Sequence, residues 1–310
     1  MPDFASQSYW DDRFSKNSSP FDWLVPAQAL CQVTTDMIDP ETVRMSQILH
    51  IGCGTSDALA LRTLVESPEQ IHNVDYSEAA VDAGAKREQE DISQNQNPLG
   101  KESGDGEGGG SKHDSVRQPL PRHMNWSCMD LLALHSTLGL LHQRNSEGRL
   151  YNIILDKSTS DSIACGQDQH LTLPYPLSIN GWTRRIVGCG THQPGDVHPL
   201  HVLAVHLAAL TKPRTGKWIC ISYSEDRFPF VPPFPATISN GLLSDDVIKA
   251  GFPHPSQLWR LETKEKIDLE EAKEETLAER KKRLSAGVVQ RPRVSHWLYV
   301  LRRTDAIVTD

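Results

Sequence analysis

Short apolar runs alternate with helix-like segments along this chain, the pattern of a mostly parallel sheet flanked by helices. Residues 47–51 (QILHI) read as a first strand, and 57–66 (DALALRTLVE) as the helix that follows it. Residues 71–75 (IHNVD) read as a second strand, followed by a helix from Ser77 to about Arg87. Further strands are expected at 123–128, at 151–155 (YNIIL) and at 216–223 (GKWICISY), where β-branched and aromatic residues gather. A helix is expected over 197–211, where Val202, Val205, Leu207 and Leu210 fall at helical spacing. Two more strands are expected at 258–263 and 295–302.

Two segments break this alternation. Residues 89–120 are rich in Gly, Ser, Gln and charge, too poor in apolar surface to fold alone, and read as a disordered low-complexity insertion. Residues 262–286 (ETKEKIDLEEAKEETLAERKKRLSA) are strong helix formers with few apolar positions, and read as a charged, solvated helix insertion. The 310 residues fit a single domain carrying these insertions.

Composition narrows the function. The formal charge of −8 disfavours a nucleic-acid partner, since phosphate binding needs a basic face. No run of 18 apolar residues is present, so no membrane-spanning helix is expected. The opening MPDFASQSYWDDRF lacks the basic-then-apolar pattern of a secretory leader, and the six cysteines form no CxxC pair. A cytoplasmic protein with reduced thiols is the expectation. His192, His198, His201 and His206 do not match a metal-site spacing, and no metal is expected there.

The chemistry concentrates at LHIGCGTSD, Leu49 to Asp57. Gly52 and Gly54 follow a strand and let the backbone turn sharply and approach a ligand. About twenty residues on, the second strand ends in Asp75 before Tyr76, where an acid can accept from ribose hydroxyls. That arrangement suits a dinucleotide or S-adenosyl-L-methionine. Asp57 stands where nicotinamide enzymes carry a third small residue, which weakens the dehydrogenase reading. A second GCGT at 188–191 is followed by no helical pattern and reads as a loop turn.

Motifs along the whole chain resemble those of the methyltransferase-like lysine methyltransferases, which include enzymes acting on elongation factor 1-alpha. SYWDDRF (8–14) with FDWL (21–24) resembles the family's YWxxRY…(F/Y)(D/E)W signature. ILHIGCGTSD resembles its glycine loop, NVDYSEAAVDA (73–83) its ribose-binding strand end, and MNWSCMDLLAL (124–134) its adenine-flanking motif. LDKSTSDSI (155–163) resembles (D/E)KGTLDA, and WICISYSEDR (218–227) and HWLYVLRR (296–303) resemble the last strands. Phe14 replaces a Tyr, Ser158 and Ser160 replace the Gly and Leu of KGTL, and His50 stands where many methyltransferases have an acid.

The resemblance implies a Rossmann-like α/β fold: a seven-stranded, mostly parallel sheet with an antiparallel last strand and helices on both faces. It implies S-adenosyl-L-methionine as cofactor and an N-terminal segment, 1–28, covering it. Trp10, Phe14 and Trp23 would then face the methionine end and its sulfonium, a cation suited to ring faces. Gly52 would lie under the methionine portion, and Gly54 would bind the cofactor with it in the glycine loop. Asp75 would hold the ribose, Tyr76 would flank the adenine, and Asp130 and the Leu131 amide would bond its edge. Lys157 would stand where the methionine carboxylate and the substrate approach. Asp156 and Tyr223, at ends of strands, are the candidates for orienting an acceptor amine. The implied acceptor is a protein lysine, and a monomer is expected. A small-molecule methyltransferase and a non-catalytic cofactor-binding module are the alternatives.

Overall fold

The computed structural model describes residues 2–17, 19–23, 25–56, 58–95, 122–179, 192–231, 243–267 and 295–310. Its strands are β1 (Ile48–Ile51), β2 (Ile71–Asp75), β3 (Asn125–Cys128), β4 (Ile153–Lys157), β5 (Gln169–Leu173), β6 (Ser178–Ile179), β7 (Gln193–Val197), β8 (Lys217–Ser222), β9 (Trp259–Ile267), β10 (His296–Arg303) and β11 (Val308–Thr309). Its helices are α1 (Gln7–Lys16), α2 (Ala27–Met37), α3 (Pro40–Arg44), α4 (Glu78–Asn95), α5 (Leu134–Ser146), α6 (Thr159–Ile163), α7 (Pro199–Leu210) and α8 (Asp245–Lys249).

Seven strands form one sheet in the order β3-β2-β1-β4-β8-β10-β9. The five from β3 to β8 run parallel, and β10 is antiparallel to both β8 and β9. This is the expected Rossmann-like arrangement, with β10 as the reversed last strand in chain order. Strands β1, β2 and β4 are buried at every position, as strands covered on both faces must be. Side chains alternate between the faces: Ile154 packs with α5 and α7, whereas Ile153 and Leu155 pack with α2 and the 3₁₀ segment Ala58–Leu64. All twelve residues of α7 are buried, which explains an apolar pattern broader than one helical stripe. Chain order reverses between β1 and β4, and there the carboxyl ends of the strands diverge to leave a crevice.

Three expectations need correction. The segment after β1 is a 3₁₀ helix, Ala58–Leu64, not an α-helix. Helix α4 runs on to Asn95, into the segment read as disordered from 89. Its second half is held by Glu88, whose carboxylate accepts from the Met124 amide at 2.9 Å and Trp126 Nε1 at 2.9 Å. The Arg62–Asp91 ion pair at 3.1 Å adds to this. Finally, residues 262–267 belong to β9, not to a charged helix. As an edge strand, β9 can keep its charges in water on one face, and Glu262 pairs with Lys217 at 2.8 Å and Arg302 at 3.2 Å. Pairing with β10 overrides helix propensity there. Residues 96–120, 268–286 and the second GCGT at 188–191 lie outside the described residues. Among the described residues no helix is long and apolar enough to cross a membrane.

Candidate functional site

The crevice holds a cavity of about 610 Å³. Trp10, Phe14, Trp23, Gly52, Gly54, Asp75, Tyr76, Asp130, Leu131 and Lys157 all line it. Ten residues separated by as much as 147 positions in sequence (10 to 157) are thus brought to one cavity by the sheet and the N-terminal segment.

The glycine loop leaves β1 with Gly52 at φ 56° and Gly54 at φ 52°, both left-handed. A Cβ on Gly52 would lie 2.1 Å from Thr159 Oγ1, so the loop also needs glycine for want of space. The Gly54 amide donates to Asp75 Oδ2 at 2.8 Å, and the Ser77 amide to Oδ1 at 2.9 Å. Each oxygen keeps a lone pair for a further donor. Burial pushes the Asp75 carboxyl up to about 6, against these two amides.

Tyr76 donates its hydroxyl to the Ser6 carbonyl at 3.2 Å and accepts Gln7 Nε2 on its own carbonyl at 2.6 Å. Both bonds fasten the N-terminal segment to the end of β2. Four aspartates, Asp75, Asp11, Asp130 and Asp3, raise the Tyr76 phenol by their charge, after burial itself, so this end of the cavity is acidic. Asp130 is exposed and accepts from the Leu132 amide at 2.8 Å. Leu131 is buried, its carbonyl bonded to His206 Nδ1 at 2.7 Å.

The N-terminal segment forms an aromatic wall. Trp10 stacks on Phe14 with centroids 5.6 Å apart and meets Trp23 edge-on at 5.3 Å. Phe4 stacks on Trp23 at 5.2 Å. The Phe21 amide donates to the Thr55 carbonyl at 3.2 Å, which docks this segment on the glycine loop. Helix α1 packs on α4 from outside.

On β4, Lys157 faces the cavity, almost fully buried, with Nζ 3.1 Å from Asp22 Oδ1. Burial lowers its ammonium's pKa, and the Asp22 carboxylate opposes this. Beneath the pair, burial pushes His50 down to about 4, so it is neutral at neutral pH. Its Nδ1 pairs with Asn73 Oδ1 at 2.9 Å.

The two proposed amine-orienting residues stand elsewhere. Asp156 does not line the cavity: it is fully buried, on the opposite face of β4 from Lys157. Its Oδ1 accepts from the amides of Thr159 at 2.9 Å and Ser160 at 3.3 Å, its Oδ2 from Trp218 Nε1 at 3.1 Å and from the Ser160 hydroxyl. Asp156 therefore holds the start of α6 and is corrected to a structural role. Tyr223 is 41% exposed and also lies outside the cavity, beside the Arg227 guanidinium.

Asp22 and several cavity-lining residues were not singled out in the sequence. Asp22, Lys157's partner, sits inside the FDWL motif and could have been found by asking what pairs a buried lysine. Ser158 was noted only as a departure from glycine. It adopts φ 65°, the left-handed region, so glycine is the residue its backbone favours. Ser162, Ile163, Cys165, Gln167 and Gln169 also line the cavity. They lie in α6, the turn after it and the first position of β5, where no periodicity marks them. Of the histidines, His206 is bonded to Tyr175 and to Leu131, and His198 accepts the Leu200 amide as the cap of α7.

No family model matches the chain. It is similar to a Neurospora crassa protein named Methyltransferase srdJ, 28% identical over 168 residues, covering 54% of this chain and 57% of that protein. The chain thus matches little over half the length of that relative. Its backbone is similar to N-methyltransferase NodS of Bradyrhizobium japonicum WM9 in complex with S-adenosyl-L-homocysteine, at 10% identity and TM-score 0.43, covering 95% and 98% of the two chains. It is also similar to the magnesium protoporphyrin IX methyltransferase of Synechocystis PCC 6803 with bound cofactor, at 12% identity and TM-score 0.40, covering 96% and 93%. The fold assignment rests on strand order and register rather than on these distant likenesses.

Proposed function

We propose that this chain is an S-adenosyl-L-methionine-dependent methyltransferase. The observation that carries the reading is one cavity at the sheet's switch point that joins the glycine loop, Asp75 and the N-terminal aromatic wall. The residues present fit the cofactor. The acidic end offers Asp75 to the ribose hydroxyls and Asp130 and the Leu131 amide to the adenine edge, with Tyr76 alongside. The Gly52–Gly54 turn has no Cβ to obstruct the methionine portion. Trp10, Phe14 and Trp23 line the same cavity and would offer electron-rich rings to a sulfonium. When bound, the cofactor supplies a methyl group activated by positive sulfur. The protein then has to position the acceptor and exclude water. The N-terminal segment does the latter, fixed by the Tyr76–Ser6 and Lys157–Asp22 contacts. The name of the Neurospora crassa relative agrees with this reading.

The motif resemblance supports a protein lysine as acceptor. The lining drawn from α6 to the start of β5 favours the second reading, a small molecule: Ser162, Ile163, Cys165, Gln167 and Gln169 offer apolar, thiol, hydroxyl and amide groups, with no carboxylate to take a proton from an ammonium. Calorimetric titration with S-adenosyl-L-methionine, on wild type and Asp75→Ala, tests the cofactor. Micromolar binding lost in the variant is expected. No binding by folded wild type would leave the chain a non-catalytic module of the same fold.

A further inference from the structure

The cavity is polarised in charge. Among its described lining residues the acids are Asp3, Asp75 and Asp130, and all three raise the Tyr76 phenol, so they gather at the β2–β3 end. The one cationic lining residue is Lys157, at the end of β4. Next to it Ser158 lines the same wall, 1% exposed, with a buried hydroxyl that has no hydrogen-bond partner. A buried hydroxyl without a partner is costly, and a ligand oxygen at that place would complete it. Ile163 and Pro199, which are apolar, and the amide-bearing Gln167 and Gln169 line the same cavity.

We infer, building on the methyltransferase reading, that the acceptor is a small molecule bearing an acidic hydroxyl, a phenol or enol, whose oxygen sits between Lys157 and Ser158. Three physical points carry this. An ammonium has three donors, and Asp22 at 3.1 Å occupies one direction, leaving others for an oxygen in the cavity. A positive charge beside a hydroxyl favours its ionised form, whereas it repels a lysine ammonium and offers it no base. The apolar pair Ile163 and Pro199 suits the carbon skeleton of such a ligand better than a solvated side chain on a protein surface. In the reaction the hydroxyl proton leaves to solvent, the oxygen's electron pair forms the new O–C bond to the methyl group, and the former S–C bonding pair stays on the departing, now neutral sulfur. Lys157 stabilises the phenolate or enolate before transfer, and Ser158 orients it.

The test follows a bound chromophore, so it does not depend on turnover. Wild type is first saturated with S-adenosyl-L-homocysteine, confirmed by calorimetry, and then titrated with para-nitrophenol while phenolate absorbance is read across pH. The apparent pKa of bound para-nitrophenol should fall by about one unit, a tenfold gain in phenolate. Lys157→Met should abolish that shift while S-adenosyl-L-homocysteine still binds, and Ser158→Ala should weaken para-nitrophenol binding without altering charge. Labelled cofactor added to a lysate should mark small molecules. Unshifted or absent para-nitrophenol binding in the S-adenosyl-L-homocysteine complex, or label entering a discrete protein band, overturns the inference. Loss of S-adenosyl-L-homocysteine binding in Lys157→Met assigns that ammonium to the cofactor and also overturns it. Failure of wild type to bind S-adenosyl-L-homocysteine removes the methyltransferase reading itself.

Discussion

Ser158 is held in a conformation suited to glycine, at φ 65°, with its hydroxyl buried and unpartnered. Ser158→Gly is therefore expected to stabilise the protein. Relief of the left-handed backbone gives about 1 kcal/mol, net of the freedom that glycine adds to the unfolded chain. Removing a buried hydroxyl without a partner adds about 1 kcal/mol more. The sum is ~2 kcal/mol, which for a chain of this size raises the Tm by ~4 °C. Ser158→Ala separates the two contributions: it removes the hydroxyl and keeps the backbone cost, so it should gain only about half as much.

Urea denaturation followed by tryptophan fluorescence, with a thermal scan beside it, measures both variants. Equal stability of the Gly and Ala variants would falsify the backbone argument. Both variants falling below wild type would show that the Ser158 hydroxyl has a partner in solution, which removes the case for a ligand oxygen there. The expected combination is a more stable protein with a weaker acceptor site, the trade that strained functional positions show.

Four further outcomes follow from the site. Burial pushes Asp75 up to about 6, so protonation removes an acceptor as pH falls through that value; cofactor affinity should weaken below it, and Asp75→Asn should erase the inflection in calorimetry. Asp22→Ala leaves the buried Lys157 unpaired and should cost about 3 kcal/mol in urea, most of it recovered in the Asp22→Ala, Lys157→Met double variant. Asp156→Asn sets an amide against the donors at the start of α6 and should cost about 2 kcal/mol. Because Asp156 is raised to about 6 from its ordinary 3.8, the stability it contributes is present at acid pH and lost as pH rises through about 6, and this variant should flatten part of that slope. Gly52→Ala drives a Cβ to 2.1 Å from Thr159 Oγ1 at a positive φ, and should weaken cofactor binding by about tenfold or more, read by calorimetry.

Strands and site residues were legible in the sequence to different depths, for different physical reasons. Strands β1, β2, β4 and β8 are covered on both faces or nearly so, and continuous apolar runs announce them. Strand β9 was half hidden, because an edge strand keeps charges such as Glu262 and Lys264 that also suit a helix. The small pairs β5–β7 and β6–β11 carry no run long enough to show. Gly52, Gly54 and Asp75 could be read from a glycine turn after one strand and an acid ending the next, whereas Trp10, Phe14, Trp23, Asp130, Leu131 and Lys157 were expected only through the motif resemblance.

Asp156 shows where that reasoning stops. It ends the same strand as Lys157, and position at a strand end cannot say which of two neighbours faces the crevice. Alternation can. Ile153 and Leu155 pack on the α2 face and Ile154 on the α7 face, so Asp156 must share the side of Ile154 and Lys157 the other. Trp218, on that same α7 face, confirms the parity by donating to Asp156. Both residues cannot serve one cavity. Once Lys157 is placed in it, the carboxylate that a lysine-directed mechanism would need must come from elsewhere, and Asp22 is already engaged by Lys157. Lys157 and the buried, unpartnered Ser158 hydroxyl beside it are the observations that support the proposal of an oxygen acceptor over a lysine.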